Sequence, residues 1–474
     1  MSEVLDDVIA RARLVPLSEA VEVNPKIDRS ALHDDLDVSF VPMAAVEALS
    51  GGIDVSTVRK YAEVKKAHTH FRDGDILFAK VTPCMENGKM AIARKLVNGV
   101  GFGSTEFHVL RPRAGVDARY IYYFVSSQTF RKDASGHMTG AVGLRRVPSA
   151  YLEEQLIPLP HIDEQRRIVA ELEKQFSRLD EAVANLQRVK ANLKRYKASV
   201  LKDAVEGRLV PTESELARRE GRSFETGEQL LQRILETRRK EWEGRRKYRE
   251  PVEPVVTDLP ELPPGWAWAS PEQLSASEAH SLAIGPFGSS LKVSDYTTEG
   301  VPLVFVRNIR AVSFGGPETV FVTPDKAEEL KAHIVEAGDI LVTKMGAPPG
   351  DVCMYPATRP PAVITADCIK LRLTRAQLSA PFFAYAIESK LVQSQIQGIT
   401  KGVAQLKVSL GNFSSIGFPL PPVAEQHRIV AEVDRRLSLV RGVETEVDTN
   451  LKRAQALRQA TLSRTFVCQP LARE

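Results

Sequence analysis

Cysteine is scarce in this 474-residue sequence: Cys84, Cys353, Cys368 and Cys468 are the four, far apart, with no CxxC pair. That spacing argues against a structural zinc site and for a reducing compartment. No run of about 18 apolar residues occurs, so no membrane span is expected. The opening "MSEVLDDVIARARLVPL" lacks a basic start followed by an apolar stretch; no secretory signal is expected, and the expected location is cytoplasmic. An excess of one charge is missing too. Lys and Arg number 64 against 60 Asp and Glu, a net charge of +4, so only the distribution of charge can point to a partner. Catalytic signatures are absent. No GxxxxGK[ST] supports a phosphate-binding loop. No FxGxG accompanies an Asn-Pro-Pro-aromatic segment, so the chain does not look like an amino-methyltransferase, and no GxSxG context supports a serine nucleophile. His68 and His70 stand as "HTH" without a nearby cysteine or acidic cluster to complete a metal site. "PDKAEELK" (Pro324 to Lys331) carries the residue types of a metal-dependent nuclease at too tight a spacing, and reads as one helix. The sequence therefore reads as a protein that binds rather than catalyses, with no catalytic residue and no metal ligand assigned.

What the sequence does have is itself, twice. "PLPHIDEQRRIVAELEKQF" from Pro158 returns as "PLPPVAEQHRIVAEVDRRL" from Pro419, 261 residues later. "GDILFAK" (Gly74 to Lys80) returns as "GDILVTK" (Gly338 to Lys344). "STEFHVLRP" (Ser104 to Pro112) matches "TADCIKLRL" (Thr365 to Leu373), and "GHMTGAVGLRR" (Gly136 to Arg146) matches "GITKGVAQLKV" (Gly398 to Val408). The offset is far too long for a solenoid. Each half reads as a globular domain followed by a long helix.

The helices follow from composition and period. Ile162 to Glu206 holds neither glycine nor proline, and Leu172, Leu179, Leu186, Leu193 and Val200 recur every seven residues. Phe176 and Val183 fill the intervening positions, and Val189 and Tyr196 continue the stripe. The second copy carries Val433, Leu437, Val440, Val447, Leu451, Ala454 and Leu457, with Gly442 as an interruption. Either stripe alone also fits a helical bundle core; two matched stripes favour pairing with each other. "PLP" forces an extended approach to each helix, because proline fixes its own φ and restrains its predecessor. Asp163 and Glu164, and in the second copy Glu425, place acid in the first turn, where the helix dipole favours it.

Pro211 to Pro264 lacks a second copy. It suggests an amphipathic helix near Gly227 to Trp242, then a basic stretch, then "PVEPVVTDLPELPPGW", whose five prolines make a stiff extended linker. The globular parts hold short runs rich in Val, Ile and Phe bounded by glycine turns, followed by a helix, "ARYIYYFVSSQTFRKDA" in one and "APFFAYAIESKLVQSQI" in the other. The expected class is α+β with mixed or antiparallel sheets. The expected division is 1–158 first globular domain, 159–210 long helix, 211–263 amphipathic helix and linker, 264–418 second globular domain, and 419–474 second long helix.

Candidate contacts to a polyanion lie in the repeated segments. Lys80, Thr82 and Lys89 follow the first Gly-Asp strand, and Lys344 closes the second. Thr139, Arg145, Arg146, Lys401, Gln405 and Lys407 lie in the glycine-containing loops, and Arg307 in "VPLVFVRNI". Small residues allow close approach, while Arg, Lys and Gln can hold phosphates or read base edges; a purely structural loop explains the glycines equally well. From Asn185 to Lys202 six basic residues and no acid occur, either a solvated face or a phosphate-binding stripe.

Two globular domains, two "PLPxxxEQxRIVAE" junctions, two "GDIL" strands, the "VLKDAVEGRLVP" helix end and the "LPELPPGWAW" re-entry together resemble the specificity subunit of a type I restriction–modification enzyme. The resemblance covers nearly the whole chain. It implies two target-recognition domains joined by two long antiparallel coiled-coil helices with pseudo-two-fold symmetry. Each domain would read one half of a split double-stranded DNA site, and the helices would set the spacing. The helices would also dock two modification subunits, with Glu164, Gln165, Arg167, Glu425, Gln426 and Arg428 at the junctions. S-adenosylmethionine, ATP and magnesium would belong to the modification and restriction–translocase subunits and not to this chain. The departure is the tail "LRQATLSRTFVCQPLARE", which lacks the "EGRLVP" of the first copy. The competing reading is a coiled-coil scaffold without DNA readout.

Overall fold

The structure is a computed structural model that describes residues 9, 11–28, 32–141, 143–242, 248–310, 313–316, 320–346, 348–374, 377–402 and 406–466. The chain forms two compact units: residues 1–188 with 447–474, and residues 189–446. Each unit thus takes one end of each long helix. Among the described residues no helix is long and apolar enough to cross a membrane.

In the first unit the strands are β1 (Leu14–Pro16), β2 (Val21–Val23), β3 (Asp37–Val41), β4 (Val58–Lys60), β5 (Thr69–Arg72), β6 (Ile76–Ala79), β7 (Met90–Ile92), β8 (Val100–Gly103), β9 (Phe107–Pro112) and β10 (Leu156–Pro158). The sheet β2-β9-β6-β7 is antiparallel. The sheet β4-β3-β8-β5 is mixed, because β3 runs parallel to β8 with Ser39 opposite Gly101. Strand β6 shows why "ILFA" is apolar throughout. Ile76 and Phe78 enter one core, while Leu77 and Ala79 enter another on the opposite face. A strand covered on both faces reads as a continuous apolar run, and each large side chain so buried contributes roughly 1.5–3 kcal/mol. Strands β1 and β10 pair antiparallel, Leu14 opposite Pro158, and close the domain just before α3. The longer helices here are α1 (Ala118–Ser126), α2 (Gln128–Gly136) and the first part of α3 (Ile162–Val205).

The second unit repeats this plan. Its strands are β11 (Ala267–Ala269), β12 (Leu282–Ile284), β13 (Val301–Val304), β14 (Ile309–Arg310), β15 (Ser313–Phe314), β16 (Phe321–Val322), β17 (Ile334–Val335), β18 (Ile340–Thr343), β19 (Val352–Met354), β20 (Ala362–Ile364), β21 (Cys368–Leu371) and β22 (Phe418–Leu420). The sheet β12-β21-β18-β19 is antiparallel, and β16-β13-β20-β17 is mixed, with β13 parallel to β20. Strand β18 again divides its residues, Ile340 and Val342 to one core and Leu341 to another. Strands β11 and β22 pair as β1 and β10 do. The longer helices are α4 (Glu213–Glu220), α5 (Gly227–Lys240), α6 (Ala380–Glu388), α7 (Lys390–Gly398) and the first part of α8 (Val423–Phe466).

Where one helix was expected in each domain, two are found, broken at Ser127 and at Ser389. Both serines adopt φ −64° with ψ near 150°, which no helix accommodates. The Ser127 hydroxyl accepts from Phe130 N and so starts α2, while the Ser389 hydroxyl donates to Ala386 O and ends α6. A serine side chain competes in this way with the backbone ladder.

In the first unit Ile168, Val169, Leu172 and Phe176 of α3 share a core with Leu462 and Phe466 of α8. In the second, Val200, Leu201, Ala204 and Val205 of α3 meet Ile429, Val433 and Leu437 of α8. The start of one helix meets the end of the other in both units, so the packing is antiparallel. Gly442 does not interrupt α8. The seam is narrower than its seven-residue pattern suggests. Val189, Tyr196 and Leu457 are exposed by 39%, 44% and 58%. In the last turns of α8 the packed positions include Ala454, Arg458, Leu462 and Phe466, spaced by four, and Leu457 lies off that line and faces outward.

Candidate nucleic-acid interface

The basic candidates meet at the end of one strand in each unit. In the first, the chain leaves β6 at Lys80 and runs beside the hairpin that follows α2. Val147 N donates to Lys80 O (2.9 Å) and Thr82 N to Arg145 O (3.0 Å). The hairpin closes through Thr139 and Arg146, each amide donating to the other's carbonyl at 2.9 and 2.8 Å. In the second unit Val408 N donates to Lys344 O (2.9 Å), and Lys401 and Lys407 exchange the same pair of bonds at 3.0 Å. Val81 bridges Arg146 as Met345 bridges Lys407. The register is therefore identical in the two copies. Gly140 and Gly402 open the hairpins at φ +122° and +123°, a region that penalises any residue with a Cβ. At Gly140 a Cβ would also lie 2.9 Å from Leu144 O.

The two sites share a backbone but not a charge pattern. In the first, Arg146 forks onto Glu106, with Nη2 to Oε1 at 2.6 Å and Nε to Oε2 at 2.9 Å. That guanidinium holds the Glu106 carboxyl below its usual range. The Thr82 hydroxyl is turned inward, donating to Arg145 O at 3.3 Å. In the second, Lys344 Nζ donates to Ala366 O at 3.2 Å, and among the described residues no carboxylate pairs with Lys344, Lys401 or Lys407. Lys401 and Lys407 are exposed. Lys344 Nζ also lies 5.2 Å from the centroid of the Phe287 ring. Phe287 was not a sequence candidate; nothing in "IGPFGSS" beyond a Gly-Pro turn distinguishes it.

The remaining candidates lie elsewhere. Lys89 Nζ donates to Met43 O at 3.1 Å, on the side of β6 facing the 43–49 loop. Arg307 sits in a short turn after β13, its guanidinium 4.1 Å over the Phe305 ring. Gln405 lies outside the described residues. Among the described residues no group of three or more His, Cys, Asp or Glu could hold a metal ion.

The junction residues form repeated clamps. Gln165 Oε1 accepts from Asp117 N (2.9 Å), and its Nε2 donates to Pro160 O (2.9 Å). Gln426 Oε1 accepts from Ser379 N (3.0 Å), and its Nε2 donates to Pro421 O (2.8 Å). Each buried glutamine so ties the "PLP" turn to the start of α1 or α6. The neighbouring acids differ. Glu164 is half-buried and Arg167 exposed. Glu425 is fully buried, accepting from Trp266 Nε1 (3.0 Å) and Glu213 N (2.8 Å), and burial pushes its carboxyl up to about 6. Arg428 pairs with Glu213 at 2.7 Å. The Pro211–Pro264 insertion, through α4, thus covers the first turn of α8.

The chain is 27% identical over 502 residues to the type I restriction enzyme EcoEI specificity subunit of Escherichia coli, covering 95% of this chain and 82% of that one. It is also 27% identical to the EcoAI specificity subunit of Escherichia coli, covering 94% and 82%. In fold it is similar to a solved chain described under the structural basis of complex assembly and conformational transition of the type I R-M system, with TM-score 0.65 and 19% identity over 96% of this chain and 98% of that one. Residues 14–194 and 303–445 match the type I restriction modification DNA specificity domain, one copy for each repeated domain and more than half of the chain in all. With two such domains the chain is a DNA sequence-recognition subunit, and it belongs to the type I restriction–modification DNA specificity family.

Proposed function

We propose that each globular domain reads one half of a bipartite double-stranded DNA site, that α3 and α8 set the gap between the halves, and that the same helices dock two modification subunits. The observation that carries this reading is the hairpin beside β6 and β18. It is built twice in one register, yet Arg146 is tied to Glu106 in one copy while among the described residues no carboxylate pairs with Lys344, Lys401 or Lys407 in the other. A common backbone with different side chains suits two domains that hold the same phosphate framework and read different bases. The chain itself supplies recognition. Methyl transfer with S-adenosylmethionine, and ATP- and magnesium-dependent translocation and cleavage, belong in this reading to the partner subunits, in the cytoplasm. Exposed apolar residues on the helices, Val189, Tyr196, Leu439 and Val443, favour covered rather than bare helices.

The test exchanges Ser104–Val147 for the matching segment of another family member and sequences the methylated sites in cells carrying the partner subunits. One half-site should change and the other remain. A change in both, or loss of all recognition in a folded chain, would sink the modular reading.

A further inference from the structure

Strand β12 ends at Ile284, and the loop beyond it presents Phe287 with 65% of its surface exposed. A lone exposed phenylalanine is ordinary on a protein surface. This one forms a wall of an open cavity of about 440 Å³ that it shares with Ile284, Ile399, Val408 and Leu410, and with Lys344, Lys401 and Lys407. The cavity thus joins an apolar wall to Ser409, Asn412 and three lysines with which no carboxylate among the described residues pairs. The Lys344 ammonium lies over the ring and holds it through the quadrupole of its face.

An occupant must be a polyanion that carries an exposed apolar group. A protein segment would have to bring acidic and apolar side chains together in matching places, and the two specificity domains of this chain point to DNA instead. Double-stranded DNA answers both. Its phosphates suit the lysines, and the one apolar group on the edge of a base pair in the major groove is the C5-methyl of thymine. A phenyl ring has no hydrogen bond to offer, so it distinguishes bases only through that methyl or by forcing them apart. The second course needs a ring free on both faces, and Lys344 occupies one.

Resting on the reading of this chain as a DNA-recognition subunit, we propose that Phe287 is a specificity-determining residue of the second domain. It packs against the C5-methyl group of a thymine in that domain's half-site while Lys344, Lys401 and Lys407 hold the flanking phosphates. Phe287 and its contact are additional to the hairpin residues that the repeat itself marks out.

The test uses the complex of the full chain with its modification subunits and a duplex carrying the selected site. Each thymine of the second half-site is replaced in turn by uracil, which removes only the methyl. One replacement should weaken wild-type binding by about four-fold, the worth of one buried methyl group, and should leave the binding of Phe287→Ala unaltered. Phe287→Ala itself should weaken binding to the thymine duplex and not to a duplex scrambled in the second half-site. The proposal is overturned if no uracil replacement matters, if the half-site holds no thymine, if uracil weakens wild type and Phe287→Ala alike, or if Phe287→Ala binds as wild type does. It is overturned in favour of a wedge if 2-aminopurine beside the site brightens with wild type and not with Phe287→Ala. Absence of any bipartite preference in the wild-type complex would instead overturn DNA recognition, a failure visible before any thymine is replaced.

Discussion

Asp75 and Arg111 form a buried two-pronged ion pair, Nε to Oδ1 at 2.8 Å and Nη2 to Oδ2 at 2.7 Å, and Asp339 and Arg372 form the same pair with the same atoms at 2.9 and 2.8 Å. The aspartate of each "GDIL" segment is thus fixed by an arginine at the end of the neighbouring strand, Arg111 within β9 and Arg372 just past β21. Asp75 Oδ2 also accepts from Arg72 N, and Asp339 Oδ2 from Glu336 N, both at 2.9 Å. The carboxylate therefore closes the glycine turn that starts β6 or β18 and locks the neighbouring strand across it.

That pair gives a stability prediction with an internal contrast. Removing one partner of a buried pair costs about 3–5 kcal/mol, chiefly because the other charge is left unanswered. Arg372 keeps Glu278 and Glu336 at 3.2 and 3.3 Å, whereas Asp75 is the carboxylate bonded to Arg111 among the described residues. Asp75→Asn should therefore be the more damaging change, near the upper end of that range, and Asp339→Asn near the lower. Native-state hydrogen exchange checks this, with amides of β6 and β9 compared against those of β18 and β21. Equal losses would show that Glu278 and Glu336 do not compensate.

Glu425 gives a pH dependence. Its folded carboxyl titrates at about 6 against an ordinary 4.5, because burial disfavours its charge. Below pH 4.5 both states hold the proton. Between 4.5 and 6 the unfolded chain releases it and the folded chain does not, so this group's stabilisation falls as pH rises, by about 2 kcal/mol in all, and stays constant above. Glu425→Gln should remove that slope while losing one of the bonds from Trp266 or Glu213, since an amide NH2 cannot accept. The variant should be less stable than wild type at pH 4, with the gap narrowing towards pH 7. Urea unfolding followed by tryptophan fluorescence is the measurement. Trp242, Trp266 and Trp268, the three tryptophans of the chain, all lie in the second unit. A gap that widened with pH would refute the raised carboxyl.

The unequal charge of the two hairpins predicts unequal salt dependence. Each lysine that contacts a phosphate releases about one counterion. Lys401→Ala and Lys407→Ala should each lower the slope of log affinity against log salt by about 1 and weaken binding to all sequences alike. Arg146 already holds Glu106, so Arg146→Ala should change the slope by less. Binding isotherms across a salt series decide it; equal slope changes at Arg146 and Lys407 would mean that DNA displaces Glu106.

The sequence by itself determined the periodic and the repeated. Short apolar runs behind a glycine turn mark β6 and β18, the seven-residue stripe marks α3 and its counterpart marks α8 despite Gly442, and duplication marks the hairpins and both "PLP" junctions, because each of these patterns is local or is compared with its own copy. Only the tertiary structure decided what depends on partners distant in the chain. Gln165 and Gln426 stand in the sequence as junction residues, and their burial depends on Asp117 N and Ser379 N, which reach them from the segments before α1 and α6. Glu425 reads as a dipole-complementing acid like Glu164 until α4 and Trp266 enclose it. Ser127 and Ser389 break helices whose apolar pattern runs on through them. Phe287 is one phenylalanine in a loop until β12, α7 and the Lys401–Lys407 hairpin converge beside it. A side chain's burial, charge state and company are set by segments tens to hundreds of residues away, and local pattern carries no record of which of them will meet it.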